Sequence, residues 1–184
     1  MMRQQFGRPR QRGCPPTCPR QQGPSAKGPL TAHRRRRETS PMDQPIFPRS
    51  PRETMCGWMH LPRYIDKIRL HLAGRLPADY HNNLGKGFDG WWLEAAGLRH
   101  EEFTAVVRSS ITDGEVADWV LKNVQRTEAD KATHRQRMLN YPSADNPQMI
   151  ERLALRKKES GLDHRDDIQT FVDYIDADEG RRQG

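Results

Sequence analysis

From residue 50 onward the hydrophobic positions of this chain recur at helical spacing. Leu61, Ile65, Ile68 and Leu72 stand at i, i+4, i+7 and i+11, one face of a 3.6-residue period, with Pro62 near the first turn and Gly74 as the stop. Before it, Ser50-Pro51-Arg52-Glu53 has capping-box spacing, but Gly57 and Pro62 confine any helix there to a turn or two. After Leu76-Pro77, ADYHNNLGKG predicts a short helix or turn ending in glycines, and Asp89 is the expected cap of a helix carrying Trp92, Leu93 and Ala96 up to Gly97. A helix over 101–107 follows. Thr112 to Glu115 is a T-x-x-E box opening a stripe of Val116, Val120 and Val124, flanked by Trp119. Thr127 caps a polar helix through Met138. Asn146-Pro147 starts another, with Ile150, Leu153 and, less regularly spaced, Leu155, stopped by Gly161. The last stripe, Ile168, Phe171, Val172 and Ile175, carries Asp163, Asp166 and Asp167 at its expected start, where the helix dipole favours acids.

No run alternates with period two long enough to predict a strand. The pattern predicts an all-α fold, a single compact domain of six or seven short helices over residues 42–184. Charge separates this domain from what precedes it. Residues 1–41 hold ten Arg or Lys against the single acid Glu38, net +9, whereas residues 42–184 hold 21 bases against 23 acids. The alkaline pI therefore belongs to the tail. Seven of the 14 prolines lie there among few large apolar residues, a composition expected to be disordered. The tail lacks an apolar signal core, and no stretch is long and apolar enough to span a membrane. Nucleic-acid binding through Arg34 to Arg37 is a weak expectation, because no aromatic side chains interleave with the arginines to stack on bases. The preferred reading starts the protein at Met42. Cys14 and Cys18 form a C-x-x-x-C pair without a second pair to complete four zinc ligands, and Cys56 reads as a small semi-buried residue. So few cysteines fit a reducing cytoplasm.

Four segments taken together, SPRETMCGWMHLPRYIDKIRLHLAG, LPADYHNNLGKGFDGWWLEAAG, ITDGEVADWV and HRDDIQTFVDYIDADE, resemble the bacterial family known as domain of unknown function 5069. The most specific elements are HLPR-x-IDK-x-R and the later D-x-x-V-x-x-W, and the resemblance runs from about residue 50 to 178. It implies a soluble, mostly helical bacterial protein and transfers no activity, ligand or catalytic residue. Residues 1–41 match nothing in the pattern, in keeping with a start at Met42.

The chemistry-bearing residues concentrate between His60 and Trp92. Gly85, Gly87 and Gly90 spell G-x-G-x-x-G, but a dinucleotide loop needs a preceding strand, and a capping Asp89 would set a carboxylate where a phosphate belongs. These glycines read as a turn between helices. On the helix after Pro62, Arg63 and Lys67 stand at i and i+4, able to grip one anion with His60 just upstream. The commoner reading of such a face is solvated pairing of Arg63 with Asp66 and Asp66 with Arg69. His164 with Asp166 or Asp167 offers a base and a carboxylate, and Asp163, Asp166 and Asp167 a hard-cation set, although acids at a helix start usually only cap. His71, His81, His100 and His134 show no H-x-x-x-H or H-E-x-x-H spacing, so no metal site and no cofactor is expected from local sequence. Trp58, Trp91, Trp92 and Trp119 read as core and rim anchors. The leading expectation is a non-enzymatic binding or protein-interaction module of the cytoplasm. The alternative is an enzyme or small-anion-binding protein built on His60, Arg63, Asp66, Lys67, Arg69, Asn83, Asp89 and Trp92.

Overall fold

The computed structural model describes residues 46–181; the basic tail and the proposed start at Met42 lie outside them. Eight helices among the described residues carry the fold, together with one small hairpin. The hairpin joins β1 (Thr54–Met55) to β2 (Trp58–Met59), antiparallel, with Thr54 opposite Met59 and Met55 opposite Trp58. Its two-residue loop, Cys56-Gly57, has positive φ at both positions, 54° and 80°, the backbone of a type I′ turn. Asn-Gly is the usual signal for such a turn, so Cys-Gly concealed a hairpin where the sequence predicts a helical turn or nothing.

Chain direction then reverses into α1 (Leu61–Leu72) and the short α2 (Ala78–His81), followed by α3 (Phe88–Ala96), α4 (His100–Ser109) and α5 (Asp113–Asn123). The expected stripes meet here. Leu61, Ile65 and Ile68 of α1, Trp92, Leu93 and Ala96 of α3, Phe103 and Val107 of α4, and Val116, Val120 and Val124 at α5 form one buried cluster with Trp58 of the hairpin. Trp92 packs on Phe103 at 4.5 Å between centroids and edge-on to Trp58 at 6.4 Å. Leu72, the last member of the α1 stripe, is exposed.

The second half is less deeply packed. Helix α6 (Glu128–Leu139) lies against α3 and β2, and Met59, Met138 and Val172 form a second, smaller cluster bordered by Phe88, Trp91 and Leu139. Helix α7 (Pro147–Glu159) packs against α8 (Phe171–Asp178). The final helix begins later than its apolar spacing suggests. Ile168 is buried but lies before the helix, and Thr170 is the cap, its hydroxyl accepting from the Asp173 N–H at 3.2 Å. Asp163, Asp166 and Asp167 therefore occupy turns and do not start a helix. Thr112 completes the expected capping box with Glu115, and Thr127 caps α6 as expected, with Asp130 closing a box there too. No helix is long and apolar enough to cross a membrane among the described residues.

Candidate functional site

Helix α1 faces two ways. Its apolar stripe enters the core, and the residues between the stripe positions, which ordinary patterning would leave in water, are also covered. Arg63 is 3% exposed, Lys67 5%, His60 2% and Asp89 1%, so a solvated charged face is not what the fold makes of them. A charge in such surroundings persists only if paired.

Asp89 is the hub. It sits in the first turn of α3, whose N-cap position is Gly87, so it is not the cap that its place in the sequence suggested. One carboxylate oxygen accepts from the His60 ring Nε2 at 2.7 Å, and the other from Lys67 Nζ at 2.5 Å and from the Gly85 backbone N–H at 3.0 Å. Lys67 also donates to the Asn83 carbonyl at 3.3 Å; Asn83 takes part through its backbone, and its side chain is exposed. Burial alone would raise the Asp89 carboxyl, but the adjacent Lys67 charge, with the His60 hydrogen bond, holds it below the usual carboxylate range. Burial pushes His60 down despite the opposing hydrogen bond to Asp89, which leaves it a neutral ring. Because a carboxylate only accepts, Nε2 carries the proton, and the buried Nδ1 is an acceptor that meets no donor. The backbone at His60 is left-handed, with φ 75°, an uncommon state for a residue with a side chain. The turn from hairpin to helix requires it, and it directs the imidazole at Asp89.

The glycines between α2 and α3 have a role that differs from phosphate binding. Gly85 has φ 72°, and a Cβ there would lie 2.7 Å from the His100 ring, whose Nδ1 is bonded to the Tyr64 hydroxyl at 2.6 Å. Gly90 passes close to the Gly85 carbonyl. The element that leads into the turn is the helix α2, not a strand. The turn is the close-packed hinge that lets the Gly85 N–H reach Asp89.

Arg63 belongs to a second group that the sequence left invisible. Its guanidinium grips Glu179 in two-pronged fashion, at 2.9 and 2.5 Å, and donates to the carbonyls of Pro48 and Arg49. The Tyr80 hydroxyl and Arg181 also bond the same carboxylate. Glu179 is 116 residues from Arg63, a separation no local pattern reports. Arg63 and Lys67 thus do not close on one anion; each has its own carboxylate. Nor do the expected α1 pairs form. Asp66 pairs with Arg49 at 2.7 Å, and Arg69 with Asp113 at 2.5 Å, tying the segment before the hairpin to α1 and α5. Trp92 is wholly buried in the core, with its indole N–H unpartnered. His60, Lys67, Asn83 and Asp89 are therefore brought together, Arg63 is adjacent, and Asp66, Arg69 and Trp92 serve elsewhere.

His164 is exposed, and Arg165 holds Asp167 through two bonds of 2.7 Å. No three His, Cys, Asp or Glu side chains gather to hold a metal ion among the described residues, the acids 163, 166 and 167 included. Cys56 is half-buried, its thiol 3.6 Å from the Ala117 carbonyl, and burial raises its pKa, which makes it a poor nucleophile.

Two shallow, open hollows lie away from this network, on either side of α7. One, of about 440 Å³, is lined by Pro142, Ile150, Leu153, Lys157, Asp163 and Ile168 among others. The second, of about 410 Å³, is the open outer surface of α7 itself, bordered by Met149, Arg152, Leu155 and Arg156. Leu153 is the one buried residue of α7 and belongs to neither core cluster. Ile150 and Leu155 are 43% and 55% exposed. Of the regularly spaced pair in α7, Leu153 is buried and Ile150 exposed, and Leu155, off that spacing, faces outward.

Residues 46–181 match the family model described as Domain of unknown function (DUF5069). No curated protein matches the sequence.

Proposed function

The chain belongs to this family of unknown function, whose membership brings no activity with it, and we propose that it is a non-enzymatic protein-interaction module with α7 as its docking element. The observation that carries this reading is the open flank of α7, where Leu155, 55% exposed, stands beside Met149, Arg152 and Arg156 while Leu153 anchors the helix on its other side. A helix that spends its apolar residues this way has a surface of the kind that receives an amphipathic helix. Three exposed bases, Arg152, Arg156 and Lys158, against Glu151 and Glu159 lean the choice towards a partner helix bearing carboxylates beside its apolar anchors.

The alternative, an anion or acid–base site at His60, Lys67 and Asp89, has less in its favour. Its cations Lys67, Arg63 and Arg69 are already bound to Asp89, Glu179 and Asp113, and its unpartnered atoms, His60 Nδ1 and one Arg69 guanidinium nitrogen, are buried. The test is fluorescence anisotropy with a labelled acidic amphipathic helical peptide and its charge-reversed counterpart. The acidic peptide should bind, Leu155→Glu and the pair Arg152→Glu/Arg156→Glu should each weaken it at least about tenfold, and the charge-reversed peptide should not bind. Equal binding of both peptides, or binding indifferent to these substitutions, would reject α7 as the docking element.

A further inference from the structure

Two histidines that lie ten positions apart in the sequence meet in space. His71 stands in the last turn of α1 and His81 in the last turn of α2, with their rings 5.7 Å apart between centroids and 86° between planes. Both residues are exposed. The connection holding them is well fixed. Gly74 turns the chain at φ 65°, the N–H groups of Arg75 and Leu76 both bond the Leu70 carbonyl, and the Leu76 side chain is buried beneath the turn.

His81 Nε2 lies 2.9 Å from the Leu76 carbonyl. A carbonyl only accepts, so Nε2 carries the proton and Nδ1 presents its lone pair. An imidazole whose far N–H is fixed by a backbone carbonyl is the arrangement found behind metal-bound histidines, because it sets tautomer and ring orientation together. Two imidazoles sharing one tetrahedral ion, with metal–nitrogen bonds of ~2.0–2.1 Å, have centroids roughly 5 Å apart, close to the 5.7 Å between His71 and His81.

We infer that His71 and His81 form a binding site for a borderline-soft divalent cation of the Zn²⁺ class, with His81 Nδ1 and one His71 nitrogen as ligands. No third His, Cys, Asp or Glu completes the set among the described residues, so the other coordination positions fall to water or to a donor from another molecule. The site is independent of α7 and of the buried Asp89 network. Imidazole nitrogen suits Zn²⁺, Ni²⁺ and Cu²⁺ and disfavours Mg²⁺ and Ca²⁺, which seek oxygen.

The test is calorimetric titration of Zn²⁺ into the full chain carrying Cys14→Ser and Cys18→Ser, which removes the competing thiols of the tail. One site per chain is expected. His71→Ala and His81→Ala should each weaken it at least about tenfold, with unchanged circular dichroism, while His164→Ala, at another exposed histidine, should leave it unaltered. Electron paramagnetic resonance of the Cu²⁺-loaded protein should show coupling to two imidazole nitrogens, falling to one in either variant. Zn²⁺ binding unaltered by both substitutions, or a Cu²⁺ signal without paired imidazole coupling, would overturn the site.

Discussion

At the scale of single residues, Asp89 is the most consequential side chain outside the apolar core. Its two oxygens neutralise Lys67, orient His60 and satisfy the Gly85 N–H, with all three side chains buried. Removing one member of such a set leaves a buried charge without its counterpart, which costs about 3–5 kcal/mol. Asp89→Asn should therefore lower unfolding stability in urea by that order, and Lys67→Met added to it should recover part of the loss. A double substitution no better than the single would mean that Lys67 is not what Asp89 stabilises. The same neighbourhood sets the acid response. Burial depresses His60, and it lowers His134, beside Trp58 and bonded to the Met59 carbonyl, to about 4. A histidine with a depressed folded pKa stabilises the fold above its unfolded pKa of about 6.5, and that contribution falls as protons bind the unfolded chain more readily. Asp89 and Glu179, held low, add a further loss as pH falls below the ordinary carboxylate range. Urea midpoints should thus decline steadily from about pH 6.5 towards pH 4. A flat profile would contradict the buried neutral imidazoles.

At the scale of elements, legibility in the sequence followed the range of the interactions. Helix starts set by a side chain three residues from its partner were readable: Thr112 with Glu115, Thr127 with Asp130, Asn146 with Met149. Thr170 makes the same kind of cap, yet the apolar spacing drew the start back to Ile168, because a buried residue in a turn has no signature distinguishing it from one on a helix. Thr170→Ala should cost about 1 kcal/mol or somewhat more, since it also releases Asp173, which pairs with Arg52 across the fold. Differential scanning calorimetry measures this, and an unchanged melting temperature would place the helix start elsewhere. The hairpin escaped for a different reason: two residues per strand give no alternation to detect, and its turn uses Cys56 where Asn is usual. Within the candidate site, the crowding of charge around α1 was visible, but its partners were not. Glu179, Asp113 and Arg49 reach α1 only through the tertiary fold, so a charged face that reads as solvent-exposed proves to be enclosed.

At the scale of the whole described region, the charged cluster and the exposed apolar surface divide the work. The cluster joins the segment before the hairpin, α1, the α2–α3 turn and the residues after α8 through Arg49, Asp66, Arg63, Glu179, Lys67 and Asp89, and it leaves no cation free there to grip a ligand. Helix α7 is outside both apolar clusters and is fixed by Leu153 and by Lys157, which donates to the carbonyls of Arg165 and Ile168. Isolated exposed apolar residues such as Ile111 and Leu121 are ordinary on any surface; the docking role proposed for α7 rests on Leu155 standing beside Met149, Arg152 and Arg156 on its open flank. The most direct measurement is photo-crosslinking in the native cell, with a photoreactive amino acid replacing Leu155 in one chain and Ile111 in another, and mass spectrometry of the joined peptides. An interaction module working through α7 should give, at position 155, a crosslink to a discrete acid-bearing helical segment that disappears with Arg152→Glu/Arg156→Glu. Crosslinks that favour position 111, or that persist at position 155 after charge reversal, would contradict it.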